Sequence, residues 1–334
     1  MNGFGDSTMR SIGFTKSTMP EETRVALLPG DIENVRHQQR LFFEQGYARH
    51  LGFADDEYRR IGVGIIPRNE MACLDVLCVP KFSEKDREIL HNGMTIWGWP
   101  YIEDNRWCAE TVVERSLSIV DFQFMYKDEE FIFHENSRLA GRLGMMQAMQ
   151  VGKRPPGRLG NVAMIGKGHL AQGAMEVLKA SGVQYAVFDS RNSGELLHFM
   201  DSFDTIVNCM KWYRAGYLVS RAHLERMKEG AFFVDLSTEG VEGSEPNSIY
   251  APVCMNGHVM MYANEHIPAL LGKKASEQIS RALAPYVDKM VEEMPDDVLK
   301  GATVVVDGKP TTAAGELVRM ALQAVSRTSS ERMS

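Results

Sequence analysis

The feature that most constrains the fold is a glycine-rich turn between two short apolar runs, within NVAMIGKGHLAQGAMEVLKASGVQYAVFDSR at residues 161–191. The first run, 162–165, is β-compatible, and apolar residues then recur with a helical period until Gly182. A second apolar run ends at Asp189. The turn carries the pattern G-x-G-x-x-A, formed by Gly166, Gly168 and Ala171. The stretch therefore predicts a β-α-β unit.

Each small residue of this turn has a physical purpose. The first glycine permits the tight turn, the second lets backbone approach a pyrophosphate, and a small third residue lets helix pack on strand. The amide groups at the start of the helix then face the anion. We predict a dinucleotide-binding turn formed by Gly166, Gly168, His169, Leu170 and Ala171. The alternative is an α/β turn that binds no nucleotide.

The end of the second strand, FDSR, bears on the choice of dinucleotide. Asp189 can accept hydrogen bonds from the ribose hydroxyls of NAD. Ser190 and Arg191 can instead hold the 2′-phosphate of NADP, because a guanidinium matches phosphate geometry. A solvated loop charge is the other interpretation of Arg191. From spacing alone, the two cofactors are equally supported.

Length and composition limit the classes of function. A chain of 334 residues predicts two domains. Its net charge of −7 argues against a nucleic-acid or anionic-membrane partner. The chain shows no signal peptide, no apolar run of membrane-spanning length and no metal-binding spacing. The five scattered cysteines are typical of buried free thiols in a reducing compartment. We expect a cytoplasmic homo-oligomer without a metal.

Strands alternate with helices along the chain, which predicts two Rossmann-like α/β domains with a cleft between them. We expect a catalytic domain at 11–140 plus 287–325 and a dinucleotide domain, a doubly wound parallel sheet, at 141–286. Flexible tails are expected at 1–10 and 326–334. Asp31 and Asn136 are predicted to cap helices.

An ordered set of motifs resembles a known family. The segments are EETRVALLP, VPKFSE, GWPYIEDNR, ENSRLAG, IGKGHLAQGA, VDLSTEG and YANEHIPALL. They resemble the alanine dehydrogenase and saccharopine dehydrogenase superfamily, and are most similar to its opine-forming N5-(carboxyethyl)ornithine synthases. The resemblance implies that a 2-oxo acid such as pyruvate is joined to the side-chain amine of ornithine or lysine. It also implies NADPH as the cofactor, with NADH possible.

The resemblance implies roles for residues outside the glycine-rich turn. It places Arg24 on the substrate carboxylate, and Asp235 beside the nicotinamide and the substrate amine. It places Glu265 and His266 in a loop near the nicotinamide. From position alone, Arg24 is a surface residue and Asp235 caps a turn.

Lys81 and Tyr101 are the candidates for proton transfer. Lys81 follows the apolar run LDVLCVP, so it is expected at the carboxyl end of a strand, where an ammonium can transfer protons. A charged loop residue is the alternative. The family has a histidine where this chain has Tyr101, and tyrosine is a poor base near neutral pH. Tyr101 is predicted to donate a hydrogen bond in a polar setting that includes Arg106; otherwise it only fills space.

Three functions follow from these observations. The first is reductive condensation of a 2-oxo acid with a basic amino acid. The second is saccharopine or alanine dehydrogenase activity, which differs in the amine and in direction. The third, from another class, is an NAD(P)-binding sensor or partner protein without turnover.

Overall fold

A computed structural model describes residues 9–212, 216–238, 240–244 and 248–333, and for 328–333 it describes the backbone alone. The chain divides into two compact units. Unit 1 comprises Met1–Phe133 and Leu271–Ser334, and unit 2 comprises His134–Leu270.

The structure contains the following elements in chain order. Unit 1 begins with β1 (Ile12–Phe14), α1 (Pro29–Ile32), β2 (Leu41–Glu44), α2 (Asp55–Ile61), β3 (Gly64–Ile66), β4 (Val76–Lys81), β5 (Thr95–Trp99), α3 (Arg106–Glu114), β6 (Ser118–Asp121), β7 (Tyr126–Lys127) and β8 (Glu130–Phe131). Unit 2 contains α4 (His134–Val151), β9 (Val162–Ile165), α5 (His169–Ala180), β10 (Tyr185–Phe188), α6 (Ser193–His198), β11 (Thr205–Asn208), α7 (Arg221–Leu224), β12 (Phe232–Asp235), β13 (Val253–Asn256) and β14 (Val259–Ala263). Unit 1 resumes with α8 (Gly272–Leu283), α9 (Val287–Glu292), α10 (Asp297–Ala302), β15 (Thr303–Val306), β16 (Lys309–Pro310) and α11 (Glu316–Met333).

The main sheet of unit 1 has the strand order β16-β15-β6-β5-β4-β1-β2-β3 in the described residues. The six strands from β1 to β6 are parallel, whereas β15 pairs antiparallel with β6. Successive residues of β4 face different cores: Cys78 packs with α8 and α9, and Val79 packs with α3 and α11. Because both faces are covered, the strands are continuous apolar runs. The order reverses between β1 and β4, which makes their carboxyl ends a topological switch point.

The sheet of unit 2 has the order β10-β9-β11-β12-β14-β13, and among its described strands β13 alone is antiparallel. Met164 of β9 packs with α4 and α5, while Ile165 packs with α6 and α7. The sheet is therefore doubly wound. The predicted α/β fold class, with a parallel sheet in each unit, is confirmed. The order of unit 2 reverses between β9 and β11.

Two glycines allow α4 and α5 to approach closely within unit 2. A Cβ atom on Gly141 of α4 would lie 1.9 Å from the Leu170 carbonyl oxygen. A Cβ atom on Gly173 of α5 would lie 2.1 Å from the Arg138 carbonyl oxygen. Neither position has room for a side chain, so backbone packs directly on backbone.

The units end at positions that differ from the domain limits expected at residues 140 and 286. Helix α4 is continuous from His134, so residues 134–140 lie in unit 2. The backbone amides of Val25 and Leu28 donate to Ser276 Oγ at 2.9 Å and Ser280 Oγ at 2.8 Å. These buried hydrogen bonds tie α8 to the chain that follows β1, and α8 therefore lies in unit 1.

Several local predictions differ from the structure. Asp31 lies within the first turn of α1 and accepts a hydrogen bond from Ser280 at 2.5 Å, so it is not the cap. Asn136 is likewise inside α4, which begins two residues earlier. Cys73 is exposed rather than buried, because it lies on a surface turn. Of the expected tails, residues 326–333 form the last turns of α11, whereas 1–8 and 334 lie outside the described residues.

Candidate active site

The glycine-rich turn of unit 2 has the predicted β-α-β geometry. Gly166 follows β9 with φ of 103°, a backbone conformation that side chains rarely adopt. A Cβ atom there would lie 3.1 Å from both the carbonyl carbon and the oxygen of Cys209, which follows β11. Gly166 is therefore required both by its backbone and by the close approach of β11 at the switch point.

The start of α5 fits a pyrophosphate. Among the described side chains, none caps this twelve-residue helix. A Cβ atom on Gly168 would meet nothing within 4 Å, so open space lies where a phosphate would approach the first amides of α5. His169 begins the helix, and its ring centroid lies 5.3 Å from that of His134 at the start of α4. Leu170 is half-buried and Ala171 is fully buried.

Two cations meet one carboxylate at the end of β10. Lys167 Nζ lies 2.6 Å and Arg191 Nη2 lies 2.7 Å from the same oxygen, Oδ2 of Asp189. The backbone amide of Arg191 also donates to Asp189 Oδ1 at 2.9 Å. Hydrogen bonds from Arg191 first, and from Lys167 second, lower the pKa of Asp189. Ser190 is exposed in the same turn.

Sequence reasoning missed Lys167. Its position between Gly166 and Gly168 was a usable signal, because a residue inside the turn lies beside the bound dinucleotide.

Asp235 lies at the end of β12, opposite Asn208 of β11. Its carboxylate is fully buried and accepts four hydrogen bonds, from Asn208 Nδ2 and Ser237 Oγ at 3.0 Å, Thr238 N at 3.0 Å and Ser244 Oγ at 2.5 Å. Burial is the main cause that raises its pKa, and these hydrogen bonds oppose it. The carboxylate thus organises the turn after β12. Its expected contact with the substrate amine stays a prediction.

The segment after β14 lies next to Asp235, since Asp235 and Ala263 are register partners. The backbone amide of His266 donates to Asn264 Oδ1 at 3.0 Å, and His266 Nε2 lies 2.9 Å from Glu265 Oε1. His266 is buried. Nicotinamide contact by Glu265 and His266 stays a prediction.

In unit 1, Lys81 is the last residue of β4, as predicted, at the switch point between β1 and β4. Its side chain is only 4% exposed, which contradicts a solvated loop charge. Ser17, just after β1, donates its hydroxyl to the Lys81 carbonyl at 2.6 Å. Lys81 Nζ lies 5.1 Å from the centre of the Tyr101 ring, within the range of a cation–π interaction. The two predicted proton-transfer residues are therefore neighbours.

Arg24 is buried rather than on the surface, with 5% exposure. Its Nε donates to Glu22 Oε1 at 2.7 Å and its Nη2 donates to Glu22 Oε2 at 2.5 Å. The Arg24 Cζ atom lies 5.6 Å from the centre of the Trp99 ring. Glu22 and Trp99 fix the guanidinium plane, and sequence reasoning assigned neither a role. The sequence could have indicated this role for Glu22, because the spacing E-x-R places its carboxylate two residues before Arg24.

Tyr101 has φ of 45°, a strained value for a non-glycine residue, in the segment between β5 and α3. Its carbonyl accepts hydrogen bonds from the amides of Asp104 and Asn105, at 3.0 and 2.9 Å. Arg106 lies on the exposed side of α3 and pairs with Glu110 at 2.8 Å. A substrate contact by Arg106 stays a prediction.

Comparison with known proteins agrees with this geometry. The family described as alanine dehydrogenase/PNT matches with its N-terminal domain at residues 13–134 and its C-terminal domain at 203–318. An N(5)-(carboxyethyl)ornithine synthase of Lactococcus lactis subsp. lactis is 24% identical over 296 residues, covering 83% of this chain and 94% of that protein. One from Clostridium botulinum strain Hall is 25% identical over 299 residues, covering 83% and 93%.

Solved structures share the fold. An L-alanine dehydrogenase has a TM-score of 0.74 at 18% identity, covering 94% of this chain and 99% of that chain. A transhydrogenase from Sinorhizobium meliloti has a TM-score of 0.70 at 18% identity, covering 90% and 98%.

Together these findings define an NAD(P)-dependent oxidoreductase that acts on CH–NH donors. Within that class, the chain belongs to the alanine dehydrogenase/PNT family, as its motifs predicted. No described helix has the length and apolar character needed to cross a membrane.

Proposed function

We propose that this chain reduces the imine formed between a 2-oxo acid, such as pyruvate, and the side-chain amine of ornithine or lysine. The observation that carries the proposal is the burial of two cationic side chains of unit 1, Arg24 and Lys81, in a chain that is similar over 83% of its length to N(5)-(carboxyethyl)ornithine synthases. In this reaction each of the two cations has a role, because Arg24 can bind a carboxylate and Lys81 can transfer a proton.

The residues of unit 1 suit the condensation. Arg24, held by Glu22, binds the oxo-acid carboxylate and fixes the carbonyl. The neutral amine attacks that carbonyl carbon, the nitrogen that has become cationic loses one proton and the carbonyl oxygen takes up one, which gives a neutral carbinolamine. Lys81 then donates a proton to the hydroxyl, which leaves as water while the nitrogen lone pair forms the C=N bond. Tyr101 donates a hydrogen bond to the oxygen during these steps.

The glycine-rich turn of unit 2 would hold the cofactor. Open space at Gly168 and the uncapped start of α5 suit the pyrophosphate. When bound, the dihydronicotinamide supplies the hydride that reduces the carbon of the protonated imine, which gives the secondary amine. Lys167 and Arg191 suit the 2′-phosphate of NADPH, because both already hold one anion, Asp189. We therefore infer NADPH in preference to NADH.

Arg191→Ala is expected to raise the KM for NADPH roughly tenfold and to leave that for NADH unchanged. The reason is the loss of a charge-assisted hydrogen bond to the 2′-phosphate, worth about 1.5 kcal/mol. Lys167→Ala should act in the same direction. Arg221→Ala, which removes another exposed arginine of unit 2, is the matched control. Unchanged cofactor preference in both variants would remove the basis for NADPH.

The reaction itself is tested with a matrix of 2-oxo acids against ammonia, ornithine and lysine. Loss of NADPH or NADH absorbance is followed, and products are identified by mass spectrometry. A secondary amine from pyruvate and a basic amino acid supports the proposal. Alanine formed from ammonia indicates alanine dehydrogenase activity, and cofactor binding without turnover indicates a binding protein. The expected homo-oligomer and cytoplasmic location stay predictions.

A further inference from the structure

Two acidic side chains and one amide meet near the ends of β5 and β6. Asp121 is the last residue of β6 and is the register partner of Gly98 in β5. Glu103 lies in the segment between β5 and α3, two residues after Tyr101. Gln123 follows β6. None of these three polar residues has a part in the chemistry described above.

The Gln123 amide bridges the two carboxylates. Its Nε2 donates to Glu103 Oε1 at 3.1 Å and to Asp121 Oδ2 at 3.2 Å, and the Gln123 backbone amide donates to Asp121 Oδ1 at 2.8 Å. Gln123 is only 6% exposed. The Gln123 side-chain amide thus donates one hydrogen bond to each of the two carboxylates. This orientation of the amide fixes the position of its oxygen, Oε1.

Two oxygens of this group receive no hydrogen bond from the part of the chain that the structure describes. Gln123 Oε1 and Glu103 Oε2 are buried, and no donor among the described residues reaches either atom. Buried hydrogen-bond acceptors nearly always receive a hydrogen bond in folded proteins, and a buried acceptor without a donor costs free energy. A group that delivers N–H donors to both oxygens would remove that cost.

The surroundings favour a cation over a neutral donor. Among the described residues, the Glu103 carboxylate receives a hydrogen bond from a neutral amide alone, and the exposed Arg106 nearby along the chain is paired with Glu110.

We propose that Glu103 and Gln123 form the subsite for the ammonium group of the basic amino acid that does not react. This rests on the proposed function, since it names the part of that same site that selects the amine. An ammonium carries three donors, enough for Glu103 Oε2 and Gln123 Oε1. Strands β4, β5 and β6 are adjacent and parallel, about 4.8 Å apart, so the subsite lies at the same sheet edge as Lys81.

Access requires a local movement. Both acceptor oxygens are closed to solvent, so the segment from residue 100 to 105 shifts when the ammonium enters. This segment contains Tyr101, whose strained backbone marks a conformation that its surroundings must hold in place. Hydrogen bonds from the ammonium to the two acceptor oxygens offset the free-energy cost of this shift. Basic amino acids are therefore preferred over amines that lack a second ammonium.

The test compares the wild-type protein with Glu103→Gln, and with Glu114→Gln as a matched control that removes an exposed carboxylate of α3. Protein loaded with NADP⁺ is titrated calorimetrically with L-ornithine and L-lysine. Glu103→Gln should weaken binding of these amino acids at least tenfold, and Glu114→Gln should not. In turnover, the ratio of kcat/KM for ornithine to that for 5-aminopentanoate should fall at least tenfold, with the KM for pyruvate unchanged.

Two results would overturn the subsite: a folded Glu103→Gln with wild-type affinity for ornithine and lysine, or a wild-type protein that binds neither. If Glu103→Gln does not fold, Glu103→Asp supplies the same measurements, since it keeps the charge but shortens its reach. Glu103-dependent binding without a secondary-amine product would refute the proposed reaction and leave the subsite standing. The two failures are therefore distinguishable.

Discussion

Lys81→Met is expected to lower kcat by about 10²–10⁴-fold, the usual contribution of a positioned acid or base, while the Kd for NADPH stays unchanged. Methionine keeps an unbranched stem in the buried position of Lys81 but carries no proton and no charge. Carbinolamine breakdown then has no ammonium donor. Cofactor binding is preserved because Lys81 lies in unit 1 and the glycine-rich turn lies in unit 2.

The measurement pairs steady-state kcat with a fluorescence titration of NADPH. Lys85→Met is the matched control, since Lys85 is an exposed lysine four residues further along the chain and should tolerate the change. Thermal unfolding of each variant separates loss of chemistry from loss of fold. If Lys81→Met retains a kcat near that of the wild type, Lys81 is not the proton donor and His266 becomes the next candidate.

The sequence was sufficient where a local pattern determines a local structure. The run from Val162 to Ile165, the turn at Gly166 and the helical period after it are all short-range features, and the structure has them as predicted. The position of Lys81 was also predictable, because a polar residue after an apolar run marks the end of a buried strand. The family resemblance extended this to Arg24, whose burial a surface interpretation would have missed.

The partners of the site residues were not predictable in the same way. Asp235 is bonded by Asn208, which is 27 residues away, and the Gln123 amide reaches Glu103 across 20 residues. Such pairs depend on which strands become neighbours, whereas periodicity reports only which face of an element is buried. The domain limit expected at residue 286 differs from the structure for a related reason. Helix α8 belongs to unit 1 because it accepts hydrogen bonds from Val25 and Leu28, and the sequence of α8 gives no sign of these hydrogen bonds.

The second large effect is expected at Tyr101, the position where the family has a histidine. Tyr101→Phe is expected to lower kcat/KM roughly tenfold to a hundredfold, because one hydrogen bond to developing charge is worth about 1.5–3 kcal/mol. Phenylalanine keeps the ring under Lys81 Nζ, 5.1 Å away, so the variant removes the hydroxyl and preserves the cation–π contact. Substrate and cofactor concentrations are varied to obtain kcat and KM separately.

Tyr101→Leu is the companion variant, since it removes both the hydroxyl and the aromatic face that Lys81 contacts. If the ring also positions Lys81, the leucine variant should be slower than the phenylalanine variant. Wild-type kinetics in Tyr101→Phe, at both saturating and subsaturating substrate, would mean that the hydroxyl is idle. Because the strained backbone of Tyr101 is retained in both variants, such a result would assign the proton chemistry to Lys81 alone or to His266, and leave Tyr101 as a packing residue.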